Sequence, residues 1–368
     1  MKDVEILIVG AGPAGLCAAK AASSLGASVL VCERDELPGG QLVKQTHKFF
    51  GSRKQYAGDR GIDIGLFLLD EVQKDPKIEV MPDTTVIGIY EDGIVLIEHN
   101  EEIIKINPQR IILATGAAEK FLAFPGNDLP GIFGAGAVQT LMNVAGVVPG
   151  ERVLMVGAGN IGLIVSYQLA QAGVETAAVI EGAPNIGGYL VHASKIQRIG
   201  IPVRTGYTIK EAYGKGKVEG AVICKLDDKW NMIPGTEEDI KCDTICLAVG
   251  LCPLTELCYQ ACCEMAYIRE LSGHVPIIDK YLQTTNPKIY VAGDVGGIEE
   301  ASAAMVEGRL AGYSAALSLG YGKDTAPARQ NEALAELAEL RAGPTGARIR
   351  EGFEKVEKMA NLRRSAEC

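Results

Sequence analysis

One glycine pattern occurs twice in this chain, and it restricts what can be built around it. Gly10-Ala11-Gly12-Pro13-Ala14-Gly15 follows the mostly apolar run 4–9, and Gly157-Ala158-Gly159-Asn160-Ile161-Gly162 follows 152–156. Each copy sits where a strand should give way to a helix. Each is followed by a second apolar run that ends on an acid, Glu33 after Val29-Leu30-Val31-Cys32 and Glu181 after Ala177-Ala178-Val179-Ile180. The first glycine allows a tight turn, the second lets backbone approach a pyrophosphate, and the third lets the helix pack on the strand. Amide groups at the helix start then bind phosphates, and the acid accepts hydrogen bonds from an adenosine ribose. A single such hexapeptide is weak evidence, because glycine turns are common. Two copies, each with strand, helix and acid in register, predict a chain that binds two adenine nucleotides.

At 368 residues there is room for two or three domains with full cores. The balance is acidic, 46 Asp and Glu against 36 Lys and Arg. With no concentrated basic stripe, nucleic acid is not an expected partner. No apolar run approaches a transmembrane span, and the first strand begins too early for a signal peptide. Ten cysteines without a secretion signal read as thiols of a cytoplasmic chain rather than a disulfide framework.

Residues 1–33 read as strand, helix and strand, and Gly39-Gly40-Gln41 opens a loop. A helix is expected over 63–72 and a β-meander over 84–106. Residues 110–116 read as a buried strand ending in a glycine turn. The stretch 125–130, with two prolines and a glycine, marks the expected first domain crossing. From 151 the plan repeats, with a helix over 190–198 and strands over 218–225 and 243–249. The end of the last strand, Leu247-Ala248-Val249-Gly250, echoes Leu113-Ala114-Thr115-Gly116. A strand over 288–293 leads to Asp294 and a helix over 299–319, closed by Gly320. Residues 323–368 read as two short helices split by Gly343-Pro344.

These elements, in order, resemble the FAD- and NAD(P)-binding pyridine nucleotide–disulfide oxidoreductase superfamily, in the layout of thioredoxin reductase. The resemblance covers about 1–320 and rests on 10–15, Glu33, Ala114-Thr115-Gly116, 157–181 and Tyr290-Val291-Ala292-Gly293-Asp294. It implies an α/β fold of two Rossmann-like three-layer domains, the FAD domain interrupted by the NAD domain, plus a helical C-terminal tail. The expected boundaries are 1–120 and 255–322 for FAD, 125–254 for NAD(H), and 323–368 for the tail.

For FAD the resemblance implicates Gly10, Gly12, Pro13, Ala14, Gly15 and Glu33, then Gly40, Gln41, Thr115 and Gly116. Gly293 and Asp294 are expected near the ribityl or pyrophosphate region. The helix start at Ala301 and Ser302 would face the flavin pyrimidine, where its partial positive charge stabilises an anionic reduced flavin. For the nicotinamide nucleotide it implicates Gly157, Gly159, Asn160, Ile161, Gly162, Glu181 and Gly250. Glu181 would accept from a 2′-hydroxyl and repel a 2′-phosphate, and no arginine follows it over 182–188. The expected cofactors are therefore FAD and NAD(H).

The loops that carry a redox-active cysteine pair in disulfide reductases, here 39–51 and 131–142, contain no cysteine. Without a neighbouring dithiol, electrons cannot pass from a flavin to a disulfide by thiol exchange. Residues 44–51 and 299–312 look closer to the α-type flavoprotein subunits of sarcosine oxidase, dye-linked proline dehydrogenase, opine oxidase and hydrogen cyanide synthase. That branch implies partner subunits in a dehydrogenase complex. The leading expectation is an electron-transferring subunit of an amine or amino-acid dehydrogenase. The alternatives are a freestanding NADH-dependent reductase of ferredoxin, quinone or dioxygen, and a structural subunit with bound nucleotides.

If the loop after Gly40 lies beside the flavin, His47 or Lys44 is positioned to give a proton near N5 or to guide an acceptor. His99, His192 and His274 show no metal spacing, and no metal is expected. Cys252, Cys258, Cys262 and Cys263 fit the spacing of a short helix better than an iron–sulfur loop. After Cys263 the next cysteine is Cys368. In the tail, Leu334, Leu337, Leu340, Ile349, Phe353, Val356 and Met359 recur at helical intervals. They serve either the chain's own core or a docking surface.

Overall fold

A computed structural model of the chain describes residues 1–367, with side chains through 362, so Cys368 lies outside the described residues. The chain forms two units, residues 1–118 with 252 onward, and residues 119–251.

In the first unit the strand Lys2–Val9 lies inside a seven-stranded sheet. Both neighbours run parallel to it, with Val9 opposite Cys32 of Val29–Cys32 on one side and opposite Leu113 of Glu102–Leu113 on the other. Parallel strands covered on both faces read as unbroken apolar runs, and Ile6, Leu7, Ile8 and Leu113 are fully buried. Ile78–Met81 extends the sheet beyond Val29–Cys32, and Ile289–Val291 pairs parallel with the last residues of Glu102–Leu113. The early part of that long strand pairs antiparallel with Val95–His99, which pairs with Thr84–Ile89. The expected meander is thus an extension of the main sheet.

The helix Ala301–Ser318 crosses the fingerprint helix Pro13–Ser24 at very close range. A Cβ at Gly308 or Gly312 would run into the carbonyl oxygens of Ala14 and Ala18, so both positions require glycine. The C-terminal helices Ala326–Leu340 and Ala347–Glu367 also belong to this unit. Fifteen and 21 residues long, they are not the short helices expected. Ala333, Leu337, Ile349 and Val356 enter the main core, with Leu334, Leu340 and Phe353 packed against it. The stripe therefore covers the chain's own core, except for Met359, which stays exposed.

The second unit holds a five-stranded parallel sheet in the order Val203–Thr205, Glu175–Glu181, Arg152–Val156, Thr244–Leu247, Ile132–Gly134. The strand Ile132–Gly134 and the helix Ala135–Asn143 lie in a stretch for which the sequence pattern predicts no element. An antiparallel sheet of Tyr207–Tyr213, Gly220–Lys225 and Glu238–Ile240 completes the unit. Residues 125–130 are bound into it, because Ala212 N donates to Pro125 O at 2.9 Å and Val218 N to Pro130 O at 2.9 Å. The chain therefore crosses earlier, between Ala118 and Glu119, and returns between Leu251 and Cys252.

Two Rossmann-like units, the first interrupted by the second and followed by helices, make this the α/β architecture that the repeated fingerprint predicts. No described helix is long and apolar enough to cross a membrane.

Candidate nucleotide-binding sites

The first fingerprint closes the turn between Lys2–Val9 and Pro13–Ser24. Gly10 has φ +101°, and a Cβ there would run into the Ala114 carbonyl. A Cβ at Gly15 would run into the carbonyl of Gly10. The protein's own backbone thus demands the first and third glycines. The second is different. Gly12 has an ordinary extended conformation, φ −74° and ψ −174°, and its Cβ would meet only the Cα of Gly40, at 3.8 Å. Intramolecular packing does not explain that glycine.

The Glu33 carboxylate, 7% exposed, accepts from Ala11 N at 2.6 Å and from Asp35 N at 3.0 Å. It is held at the mouth of the turn, with lone pairs left for ribose hydroxyls. The helix Pro13–Ser24 has no side-chain cap and no acid in its first turn. Its opening amides and partial positive charge remain available to an anion.

The second fingerprint repeats this geometry nearly atom for atom. Gly157 has φ +110° and abuts the Ala248 carbonyl, Gly162 abuts the Gly157 carbonyl, and a Cβ at Gly159 would meet nothing within 4 Å. Glu181 accepts from Ala158 N at 2.8 Å and Ala183 N at 2.9 Å. The helix Asn160–Gln171 is likewise uncapped and free of acids in its first turn. In each unit a glycine pair further along folds back on the turn. Gly39 N donates to Ala11 O at 2.9 Å, and Gly188 N to Ala158 O at 2.9 Å. A Cβ at Gly40 would sit 2.8 Å from Gly12 Cα, and one at Gly188 would sit 2.9 Å from Gly159 C. Gly188 is absent from the sequence-predicted set, although its recurrence after the fingerprint was the available signal. Asn160 Oδ1 fixes the same segment by accepting from Tyr189 N at 2.8 Å.

Asp294 follows Gly293, whose φ is +77° and whose Cβ would sit 3.0 Å from that of Ala14. The close helix crossing therefore brings the Asp294 loop onto the first fingerprint. Burial pushes the Asp294 carboxyl up to about 6, opposed by the Glu299 amide and reinforced by the charges of Glu299 and Glu300. A buried carboxylate gains from hydroxyl donors. Beneath the loop lies Glu307, another residue that sequence reasoning missed. It is 4% exposed, accepts from Gly293 N at 2.8 Å and is paired with Arg341. The signal was a single acid on the buried face of an alanine- and glycine-rich helix. Ala301 and Ser302 open that helix, which has no side-chain cap.

Thr115 Oγ1 donates to Leu254 O at 2.7 Å, and Gly116 O accepts from Leu254 N at 3.0 Å. Gly250, at φ +115°, accepts on its carbonyl from Lys120 N at 2.9 Å. Gln41 is exposed and Lys44 half-buried on the 3₁₀ turn Gly40–Lys44. His47 follows, half-buried, its ring 6.0 Å from that of Phe49.

Cys258 and Cys263 are core residues. Burial pushes both thiols up, away from the thiolate that redox or metal chemistry needs. Cys252 is half-buried and Cys262 exposed, and the nine described cysteines are all free. No cluster suited to a metal ion occurs among the described residues.

A family model described as pyridine nucleotide-disulphide oxidoreductase matches residues 4–308. An opine oxidase subunit from Agrobacterium tumefaciens (strain Ach5) is 30% identical over 338 residues, covering 86% of this chain and 66% of its own length. The L-proline dehydrogenase of P. horikoshii superposes with a TM-score of 0.71 at 24% identity, covering 91% of this chain and 59% of that one. The T. acidophilum thioredoxin reductase gives a TM-score of 0.71 at 23% identity, covering 87% of this chain and 99% of that one. The chain thus spans 66% of the length of the opine oxidase relative and 59% of the proline dehydrogenase chain.

Proposed function

This chain belongs to the pyridine nucleotide-disulphide oxidoreductase family, and we propose that within it the chain is an FAD-dependent, NAD(H)-linked oxidoreductase. We assign FAD to the fingerprint 10–15 and NAD(H) to the fingerprint 157–162. One observation carries the reading. In both turns the outer glycines answer to the chain's own backbone while the middle ones, Gly12 and Gly159, answer to nothing in it. A middle glycine kept for a ligand's backbone approach is what a pyrophosphate requires.

When bound, FAD would supply the hydride and single-electron chemistry of the reaction. The residues bind and orient. Glu33 and Glu181 would hold riboses, the two helix starts would neutralise pyrophosphates, and Asp294 would bond the ribityl or pyrophosphate region of FAD. The start of the helix at Ala301 and Ser302 lends partial positive charge to the flavin ring. On the loop after Gly40, His47 or Lys44 would donate a proton near N5 or guide an acceptor. Glu181 disfavours a 2′-phosphate, and Arg204, opposite Ile180 in register, is engaged with Glu238 at 2.5 Å.

The opine oxidase relative is named as one subunit of its enzyme. That similarity supports a role for this chain as the electron-transferring part of a heteromeric amine or amino-acid dehydrogenase. The test is anaerobic mixing with NADH. The purified chain is expected to carry one FAD, whose absorbance bleaches on mixing. A protein without flavin, or a flavin that NADH leaves oxidised, overturns the proposal.

A further inference from the structure

The chain has one tryptophan, and it is held out in solvent. Trp230 is 64% exposed and has φ +66°, a conformation that bulky residues rarely adopt. A tight turn imposes it. Trp230 N donates to Asp227 O and Asp227 N to Asn231 O, each at 2.9 Å. The Asp227 carboxylate meanwhile accepts from Lys229 N at 2.9 Å and Asn231 N at 2.8 Å. Met232 and Ile233, which follow Trp230, are exposed as well, and a run of exposed apolar side chains, unlike a single one, marks a surface for a ligand or partner.

The far edge of the indole lies against Gly182. A Cβ on Gly182 would sit 2.6 Å from Cζ3 and 3.3 Å from Cη2 of Trp230, with Leu226 Cδ1 at 3.4 Å. Gly182 is not among the glycines with positive φ. Its own backbone therefore does not require glycine, but a side chain there would have to displace the indole edge. Gly182 directly follows Glu181, whose carboxylate is fixed by Ala158 N and Ala183 N. The surrounding loops are tied together, since Gly206 N donates to Ala183 O at 3.1 Å and Leu226 N to Gly206 O at 2.8 Å.

We propose that the Trp230 indole is the stacking platform for the adenine base of the nucleotide whose ribose Glu181 holds. This rests on the reading of the second fingerprint as an adenine-nucleotide site. Gly182, next in the chain to the Glu181 carboxylate, is where the indole is admitted, and every purine offers a flat π face to such a ring. The glycine at 182 and the left-handed turn at 230 then serve one purpose, which is to bring an aromatic face to the ribose carboxylate.

Because Trp230 is unique, its fluorescence reports this site alone. The FAD-loaded full chain is titrated with ADP-ribose, and separately with nicotinamide mononucleotide, which lacks adenine. ADP-ribose is expected to quench the indole emission and nicotinamide mononucleotide to leave it unchanged. Trp230→Ala should weaken ADP-ribose binding, followed by calorimetry, roughly ten- to a hundredfold, while Trp230→Phe keeps most of the affinity. Steady-state NADH oxidation should show the Trp230→Ala loss in KM rather than kcat. If ADP-ribose binds the wild type without quenching and binds Trp230→Ala equally well, the stacking proposal is wrong and the nucleotide site stands. If ADP-ribose does not bind the wild type at all, the reading of the second fingerprint fails and this proposal with it.

Discussion

Arg341 reaches Glu307 at 2.5 Å, joining the end of the helix Ala326–Leu340 to the carboxylate that holds the Gly293 amide. The same guanidinium grips both oxygens of Glu299, the shortest contact being 2.6 Å, and lies 4.1 Å over the Phe353 ring. Arg350 in turn donates to the Arg341 carbonyl. The C-terminal helices are thereby fastened beneath the Asp294 loop. Burial pushes the Glu307 carboxyl up, against the pull of Arg341.

Arg341→Met should leave two acids without their cation, one of them fully buried. Stranding a buried charge costs about 3–5 kcal/mol, and flavin should dissociate more readily as the loop loses its support. Urea denaturation and retained absorbance measure the two effects. Adding Glu307→Gln should recover part of the loss, because it removes the stranded charge. If Arg341→Met unfolds at the wild-type midpoint, the clasp contributes nothing.

Asp294 and Glu307 carry carboxyls raised above their ordinary values. The folded chain therefore keeps protons that the unfolded chain has released. For Asp294 this favourable share of stability is complete below the ordinary carboxylate range and disappears as pH rises through about 6. In the flavin-free protein, the stability of wild type relative to Asp294→Asn should fall as pH rises through the Asp294 value. A bound flavin hydroxyl favours the charged carboxylate, so FAD affinity should weaken up to about tenfold per unit as pH drops below that value. Equal pH profiles for wild type and Asp294→Asn would remove Asp294 from the flavin site.

The glycines of each turn should separate by phenotype. Gly10→Val and Gly15→Val collide with backbone and should destabilise the fold by several kcal/mol, as strained backbone and overpacking do. Gly12→Val should retain the fold, read by far-ultraviolet dichroism, and lose flavin. Gly159→Val, with nothing within 4 Å of its Cβ, should keep flavin and lose reduction by NADH. Stoichiometric flavin in Gly12→Val would refute the assignment of the first turn.

NADH should reduce the flavin faster than NADPH by at least about tenfold, a difference of about 1.4 kcal/mol, because the proposed ribose partner Glu181 is an acid. Glu181→Arg should narrow or reverse that ratio. Stopped-flow traces with the two nucleotides decide the matter, and equal rates in the wild type would defeat the charge argument.

Replacing Cys252 and Cys262 by serine and Cys258 and Cys263 by alanine should leave NADH-to-dye electron transfer near its original rate. The two core replacements should cost only about 1 kcal/mol each in stability. The unmodified chain should not reduce thioredoxin-type disulfides at a useful rate. Loss of dye reduction with FAD still bound would identify a redox role for these thiols.

The two nucleotide units were legible because their determinants are local. Strand, turn, helix and returning strand follow one another within a short stretch, and the collisions that require Gly10, Gly15, Gly157 and Gly162 arise within that stretch or at the neighbouring strand end. The interruption of the first unit was also readable, since Asp294 had to return to the first fingerprint. The crossing point was not, because residues 125–130 look like a linker until Ala212 and Val218 bind them.

Sequence alone determined that Glu33 directly follows its strand and Glu181 ends its own, but not that each carboxylate is fixed by two backbone amides. It showed an acid at 307, an arginine at 341 and a tryptophan at 230 without their partners. Only the tertiary structure decided that Arg341 offsets Glu307 beneath the Asp294 loop, and that Trp230 lies on Gly182 beside Glu181. The reason is physical. Periodicity and turn chemistry act between neighbours in the chain. The cost of burying a charge and the approach of an aromatic edge depend on which distant segments the packed core brings together.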